Sequence, residues 1–293
     1  MDESRTIRST KTQIGDWVFV IICVLISLIC VIPMINLLAR SLSGTDYLVR
    51  HEVYLIPKGF NFDAYKTVLG DVKYIHAFVW TVFLTVVCTV FSLFMTTICA
   101  YPLIFENLKG RGIINIFITI TMFFSAGTIP NYLLMQKIGF LDNPLVLIVP
   151  YCMSVYNMII MRQFFEGIPN DLRESAFIDG CNDVQIMFKI ILPLSKAIIL
   201  TIALYYGVQF WNDYMRSLLY LQKSSLKPLP LLLRDILLGA SMNDNLEANA
   251  FGTAPIEAIK AASVFISAIP MIIAYPFIQK YFTKGTLAGS VKG

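Results

Sequence analysis

The residues best placed to do chemistry crowd into one stretch, RESAFIDGCNDVQIMFKIILPLS, residues 173–195. Arg173, Glu174, Asp179 and Asp183 lie close together there, with Gly180 between two helix-like pieces. No nucleophile–base pair accompanies these charges. The only histidines, His51 and His76, belong to no HExxH pattern. The six cysteines (Cys23, Cys30, Cys88, Cys99, Cys152 and Cys181) show no CxxC spacing, so neither a zinc site nor a disulfide framework is suggested. No GxxxxGK[ST] phosphate loop occurs, so the chain does not bind ATP in that way. What remains for the stretch is contact.

Its pattern predicts a gripping surface. Pro169 and Asn170 stop a preceding helix, and Asn170 or Asp171 can cap a new one. Leu172, Ser175, Ala176 and Asp179 follow at i, i+3, i+4 and i+7 and therefore share a face. That face is small and nearly flat, with Arg173 and Glu174 to one side. Gly180 supplies the left-handed turn that ends a helix. Asn182 or Asp183 caps the next piece, which runs apolar to Pro193. A short helix, a glycine corner and a second helix can be held from below and pass motion upward.

The elements that must position this stretch are membrane helices. Of the 293 residues, 57% are hydrophobic and 14% charged, and the mean hydropathy is +0.69. Soluble domains carry roughly 25% charged residues. Six apolar runs stand at 17–39, 78–105, 113–135, 144–165, 188–211 and 258–282. Each has about 20 or more residues, enough at about 1.5 Å per residue to cross a hydrocarbon core of ~30 Å. The first run is too long for the apolar core of a cleaved signal peptide and is expected to be retained. Arg5, Arg8, Lys11, Lys109, Arg111, Arg162, Arg173, Lys189, Lys280, Lys284 and Lys292 all fall on one side, which the positive-inside rule makes cytoplasmic. The expected organisation is a cytoplasmic segment 1–16, a six-span membrane region 17–282 and a cytoplasmic tail 283–293. Links 40–77 and 212–257 face outward, and a loop at 166–188 faces the cytosol. Residues 60–69 and 228–239 read as short surface helices that anchor the fold or dock a partner. The net charge of +4 is a topology bias rather than a nucleic-acid footprint.

Glu174-Ser175-Ala176, three residues, Gly180, nine residues and Ile190-x-Leu192-Pro193 resemble the "EAA" loop of permease subunits in bacterial ABC importers. Ser175 stands where the family has its first alanine, a small-for-small change. Asp179 and the following LPLSKAIILTIALYYGVQFWNDY resemble the carbohydrate-importer branch. Lys284-Gly285 and Val291-Lys292-Gly293 resemble its polysaccharide and oligosaccharide type. The resemblance implies an all-α membrane protein of six transmembrane helices, with a cytoplasmic coupling helix between the fourth and fifth. Arg173, Glu174, Ser175, Ala176, Asp179 and Gly180 would then form the surface that docks in a groove of an ATPase. It implies as partners a second homologous permease, two ATPase subunits, an extracytoplasmic solute-binding protein and an oligosaccharide. It also places the chain in a bacterial cytoplasmic membrane. ATP and magnesium would belong to the ATPase, and this chain would hold no cofactor and catalyse nothing.

A passage for sugar needs amides for hydroxyls and aromatic faces for C–H surfaces. In the fifth run Tyr205, Gln209 and Asn212 fall at i, i+4 and i+7, with Tyr206 and Trp211 beside them. In the fourth, Tyr151, Ser154 and Asn157 lie within two turns, and Ser125, Asn131 and Tyr132 are the polar or amphipathic residues of the third. Tyr151, Asn157, Tyr205, Gln209, Trp211 and Asn212 are the candidate lining. An aromatic belt at the span ends and polar packing between helices account for the same residues. The rival function is an ion-coupled secondary transporter, which usually carries intramembrane acids. None of the six apolar cores contains Asp or Glu.

Overall fold

In the computed structural model, residues 10–242 and 255–289 are described, with side chains for 16–239 and 255–276. Helices dominate: α1 (Thr10–Ser41), α2 (Thr45–Val49), α3 (Asp63–Gly70), α4 (Val72–Ala100), α5 (Arg111–Phe123), α6 (Thr128–Lys137), α7 (Leu145–Ile148) and α8 (Val155–Glu166). There follow α9 (Asn170–Ile178), α10 (Asp183–Ile186), a π-helical turn Met187–Ile191, α11 (Leu192–Leu194), α12 (Lys196–Trp211), α13 (Met215–Tyr220), α14 (Leu229–Met242) and α15 (Ile256–Gly289).

The chain divides into two compact units. One holds residues up to 71 together with 236–267. Within it, α1 presents an apolar surface whose spanning window has no buried residue. Arg40 at the end of α1 pairs with Glu257 at the start of α15. Ser41 Oγ shares a 2.7 Å hydrogen bond with Tyr65 Oη of α3. The surface helix expected at 60–69 is α3, and that at 228–239 is α14.

The other unit holds residues 72–235 and 268–293. Its main core joins α4, α8, the α9–α11 region and α12 through Met158, Met161, Phe165, Ile191, Ile202 and Tyr206, all fully buried. A second cluster, around Val146, Leu147 and Tyr220, gathers α7 and α13 against α4. There Trp80 Nε1 donates to Leu226 O (3.0 Å), and Leu229 N donates to Thr81 Oγ1 (2.7 Å).

Three helices among the described residues are long and apolar enough to cross a membrane: 16–41, 72–104 and 256–276. Three of the six predicted runs are not continuous helices. The run 113–135 is α5 and α6, bent by 109° at Ser125-Ala126-Gly127. Gly127 has φ +89°, and Pro130 falls in the first turn of α6, where no intrahelical donor is lost. The run 188–211 bends by 82° at Ser195, just after Pro193. The run 144–165 is interrupted at 149–154, around Pro150, and resumes as α8 of 12 residues with Ser154 as its cap. Hydropathy is continuous across all three breaks, so it could not reveal them.

Candidate functional site

The charged stretch 173–195 folds as the end of one helix, a corner and a second helix. Its first helix, α9, begins at Asn170 with Pro169 as the flanking residue. Neither Asn170 nor Asp171 caps it, contrary to expectation, because both already lie within the helix. The corner follows the Schellman pattern: Gly180 N donates to Phe177 O and Cys181 N to Ala176 O, both at 3.0 Å. Gly180 has φ +83°, the conformation that glycine adopts without a steric penalty. Asn182 then makes a reciprocal capping box with Gln185, at 2.9 and 3.0 Å, and starts α10.

The face of α9 is partly other than predicted. Ala176 is buried and packs into the main core, because the Schellman corner turns that side of α9 toward the buried Ile186. Leu172, Glu174, Ser175, Asp179 and Gly180 are exposed, and Arg173 is half-buried. Phe177 and Ile178 are 67% and 85% exposed, so the open side is more apolar than the Ser175–Ala176 pair suggested. Large apolar side chains left exposed at the end of a short helix mark a surface suited to further burial.

Beside α9 lies an open cleft of about 1000 Å³, lined by Phe105, Arg111, Glu166 and Arg173 and by the exposed Phe177 and Ile178, among others. The Arg173 guanidinium sits 5.5 Å from the Phe105 ring centroid, a cation–π contact that ties α9 to the corner following α4. One carboxylate oxygen of Glu166 accepts from both Arg111 Nη2 (2.6 Å) and Arg162 Nε (2.9 Å). Arg111 Nε also donates to Leu103 O at 2.7 Å. The end of α8, from which the chain passes to α9, is thereby braced to the start of α5 and to the Pro102–Ile104 turn.

The candidate pathway residues separate into two groups. Tyr205, Gln209 and Asn212 share an exposed side of α12 with Val208. Asn212 Nδ2 donates to Val208 O at 2.9 Å. Trp211 and Asn157 are buried instead: Trp211 lies edge-on to Phe78 at 5.9 Å, and Asn157 sits in the first turn of α8. Tyr151 is half-buried in the 149–154 break, 3.3 Å from Tyr220 Oη. Helix packing decides which side of α12 is open; the i, i+4, i+7 spacing marks only which residues go together.

Two constellations escaped the sequence reading. Asp213 and Arg216, just past α12, form a buried ion pair at 2.8 Å, with side chains 8% and 14% exposed. The Arg216 guanidinium lies 4.5 Å from the Tyr151 ring and 5.3 Å from that of Phe210. Burial pushes the Asp213 carboxyl above the usual range, and Arg216 opposes that shift. Nearby, Asp142 accepts from the amides of Lys223 (2.9 Å) and Gln222 (2.6 Å), which hold its carboxyl below the usual range. The i, i+3 spacing of Asp213 and Arg216 was the only available signal. The second constellation is the Tyr206 hydroxyl, which joins α12 to Thr96 of α4 and to the Ser154 amide.

Among the described residues the chain is all-helical, with several helices apolar enough to cross a membrane and a compact helix–corner–helix between two of the apolar segments, the make-up of a multi-pass membrane protein. Residues 77–287 match the family described as "Binding-protein-dependent transport system inner membrane component", and the chain belongs to that family. It is 40% identical to the polygalacturonan/rhamnogalacturonan transport system permease protein YtcP of Bacillus subtilis (strain 168), covering 97% of this chain and 100% of that one. It is 36% identical to protein LplC of the same organism over the whole of both chains. Among solved structures, it resembles a chain of a bacterial ABC transporter involved in the import of the acidic polysaccharide alginate. That match has a TM-score of 0.87 and 32% identity, and covers 94% of this chain and 98% of that one.

Proposed function

We propose that this chain is a membrane-spanning permease subunit of an ATP-driven, binding-protein-dependent importer of oligosaccharides or polysaccharide fragments. It forms half of the pathway, with six spans and both termini in the cytosol. A second homologous permease supplies the other half, two ATPase subunits dock below, and a solute-binding protein delivers sugar from outside. The observation that carries this reading is the α9 corner at the EAA spacing: a short helix with exposed Leu172, Ser175, Phe177 and Ile178, closed by Gly180. Membership of the binding-protein-dependent family supports it. The relatives' named polysaccharides support the cargo class.

In this reading Arg173, Glu174, Ser175, Asp179 and Gly180 shape the surface that enters the ATPase groove, while Ala176 fixes that surface to the core. Residues 1–16 and 283–293 are cytoplasmic segments flanking the permease domain 17–282. ATP and magnesium are held by the ATPase. Tyr205, Gln209 and Asn212 offer the pathway an aromatic face and two amides, and Tyr151, Asn157 and Trp211 support its wall.

The decisive experiment reconstitutes the two permeases with the ATPase in proteoliposomes and supplies binding protein loaded with oligogalacturonate. Uptake that requires ATP supports the importer. Uptake driven by an ion gradient without ATP would establish the secondary transporter instead. Two further results are expected. Cys181 should resist an impermeant thiol reagent in intact cells, or in spheroplasts if there is an outer membrane, and react once the membrane is opened; labelling from outside would reverse the orientation. Replacing both Gln209 and Asn212 with alanine should lower uptake about tenfold without loss of assembled complex, about 1.4 kcal/mol of lost contact. Unchanged uptake would make this face a packing surface.

A further inference from the structure

The two helices leaving the docking corner meet again deep in the same unit. From α9, one route runs back through α8 to its cap at Ser154. The other runs forward through α10, the π turn, the 82° bend at Ser195 and α12. At Tyr206 the routes close: the Ser154 amide donates to Tyr206 Oη at 2.9 Å, and the same oxygen lies 2.7 Å from Thr96 Oγ1 of α4. Tyr206 is fully buried, and its ring stacks on Phe210 at 6.1 Å. The loop α8–α9–α10–α12 is therefore a closed linkage, with the π turn and the bend on one arm and a polar pin at its head.

Along α4, the side chains of Thr85, Thr89 and Ser92 carry buried hydroxyl oxygens with no hydrogen-bond partner, whereas Thr96 has Tyr206. Gly207 approaches α4 closely enough that a Cβ there would lie 3.9 Å from Thr89 Oγ1. Helix α12 thus runs close to α4 at Gly207 and is fastened to it by polar contact at Tyr206. The amide it holds belongs to the cap of α8, which has no partner within its own helix, and lies in the last residue of the irregular segment 149–154 that carries Tyr151.

We propose that the Tyr206 hydroxyl is the positioning group that converts displacement of the α9 docking helix into movement of the 149–154 segment. If α9 is displaced, α8 and α12 are both driven, and the pin makes them move the segment together instead of sliding past each other. This rests on the proposed function, since it needs an ATPase to displace α9.

The test compares Tyr206→Phe, which keeps the ring and removes the pin, with Thr96→Val, which removes only the brace to α4. Each permease is reconstituted with its partners, and oligogalacturonate uptake and binding-protein-stimulated ATP hydrolysis are measured on the same vesicles. Tyr206→Phe is expected to assemble in normal amount and hydrolyse ATP within about twofold of wild type, while sugar imported per ATP falls about fivefold or more. Thr96→Val, with the Ser154 amide still held, should keep close to the wild-type ratio. An unchanged ratio in Tyr206→Phe would overturn the proposal. So would parallel losses of assembly, hydrolysis and uptake, since those mark a group that only stabilises the fold. Wild-type vesicles that import without ATP would sink the importer reading itself, a result separable from either.

Discussion

A Gly180→Val permease is expected to reach the membrane and fold, yet to lose the stimulation of ATP hydrolysis by sugar-loaded binding protein. The strain is conformational. Gly180 has φ +83°, and an added Cβ would have no heavy atom within 4 Å apart from its chain neighbours, so crowding at the Cβ is not the obstacle. Valine meets the left-handed backbone region, where an L-residue with a Cβ pays about 1–2 kcal/mol and a β-branched one has further restricted rotamers. The chain relieves that strain by opening the Schellman corner, giving up the Phe177–Gly180 and Ala176–Cys181 hydrogen bonds. Phe177 and Ile178 sit in the last turn of α9 and are re-aimed when that turn opens. Loss of an interface anchor worth about 2 kcal/mol reduces occupancy about 30-fold. Gly180→Asn is the control, since asparagine visits the left-handed region more readily, and it should keep most of the stimulation. Wild-type stimulated hydrolysis and uptake in Gly180→Val would remove α9 from the coupling role.

What the sequence revealed of this site was what short-range chemistry determines. Gly180 and the Asn182–Gln185 box are local devices, and their residue types suffice to place them. Which way α9 faces is a tertiary matter. Ala176 shares a helical face with Leu172 and Ser175, but the Schellman corner and the Ile186 side of the core turn it inward while its neighbours stay out. Likewise, a run of apolar residues specifies burial in lipid without specifying continuity. The breaks at 124–127 and 149–154 depend on Gly127, Pro150 and the Ser154 cap, which are hidden in hydropathy. Tyr206 could be read as a neighbour of the Gln209 face, yet its hydroxyl is satisfied only by groups 52 and 110 positions away.

The Asp213–Arg216 pair leads to the second large effect. Arg216→Met should leave the Asp213 carboxylate buried without its counter-charge, and breaking a buried pair from one side costs about 3–5 kcal/mol. The guanidinium also supports Tyr151 and Phe210 from 4.5 and 5.3 Å, so methionine restores bulk without the cation–π attraction. The sign of the pH dependence follows from burial. Asp213 is already raised with Arg216 present, and losing the opposing charge raises it further. The folded variant then holds a proton that the unfolded chain releases near pH 4 or so. Its stability is greatest below that value and declines as pH rises through the folded carboxyl's own titration. Thermal unfolding of the detergent-solubilised variant should therefore show a deficit against wild type that is small at pH 5 and large at pH 8. Adding Asp213→Asn to Arg216→Met should recover part of the loss and flatten the difference between the two pH values, because no charge is then left to bury. A deficit that is equal at both pH values, and unmoved by Asp213→Asn, would mean that Arg216 acts through its packing on Tyr151 alone.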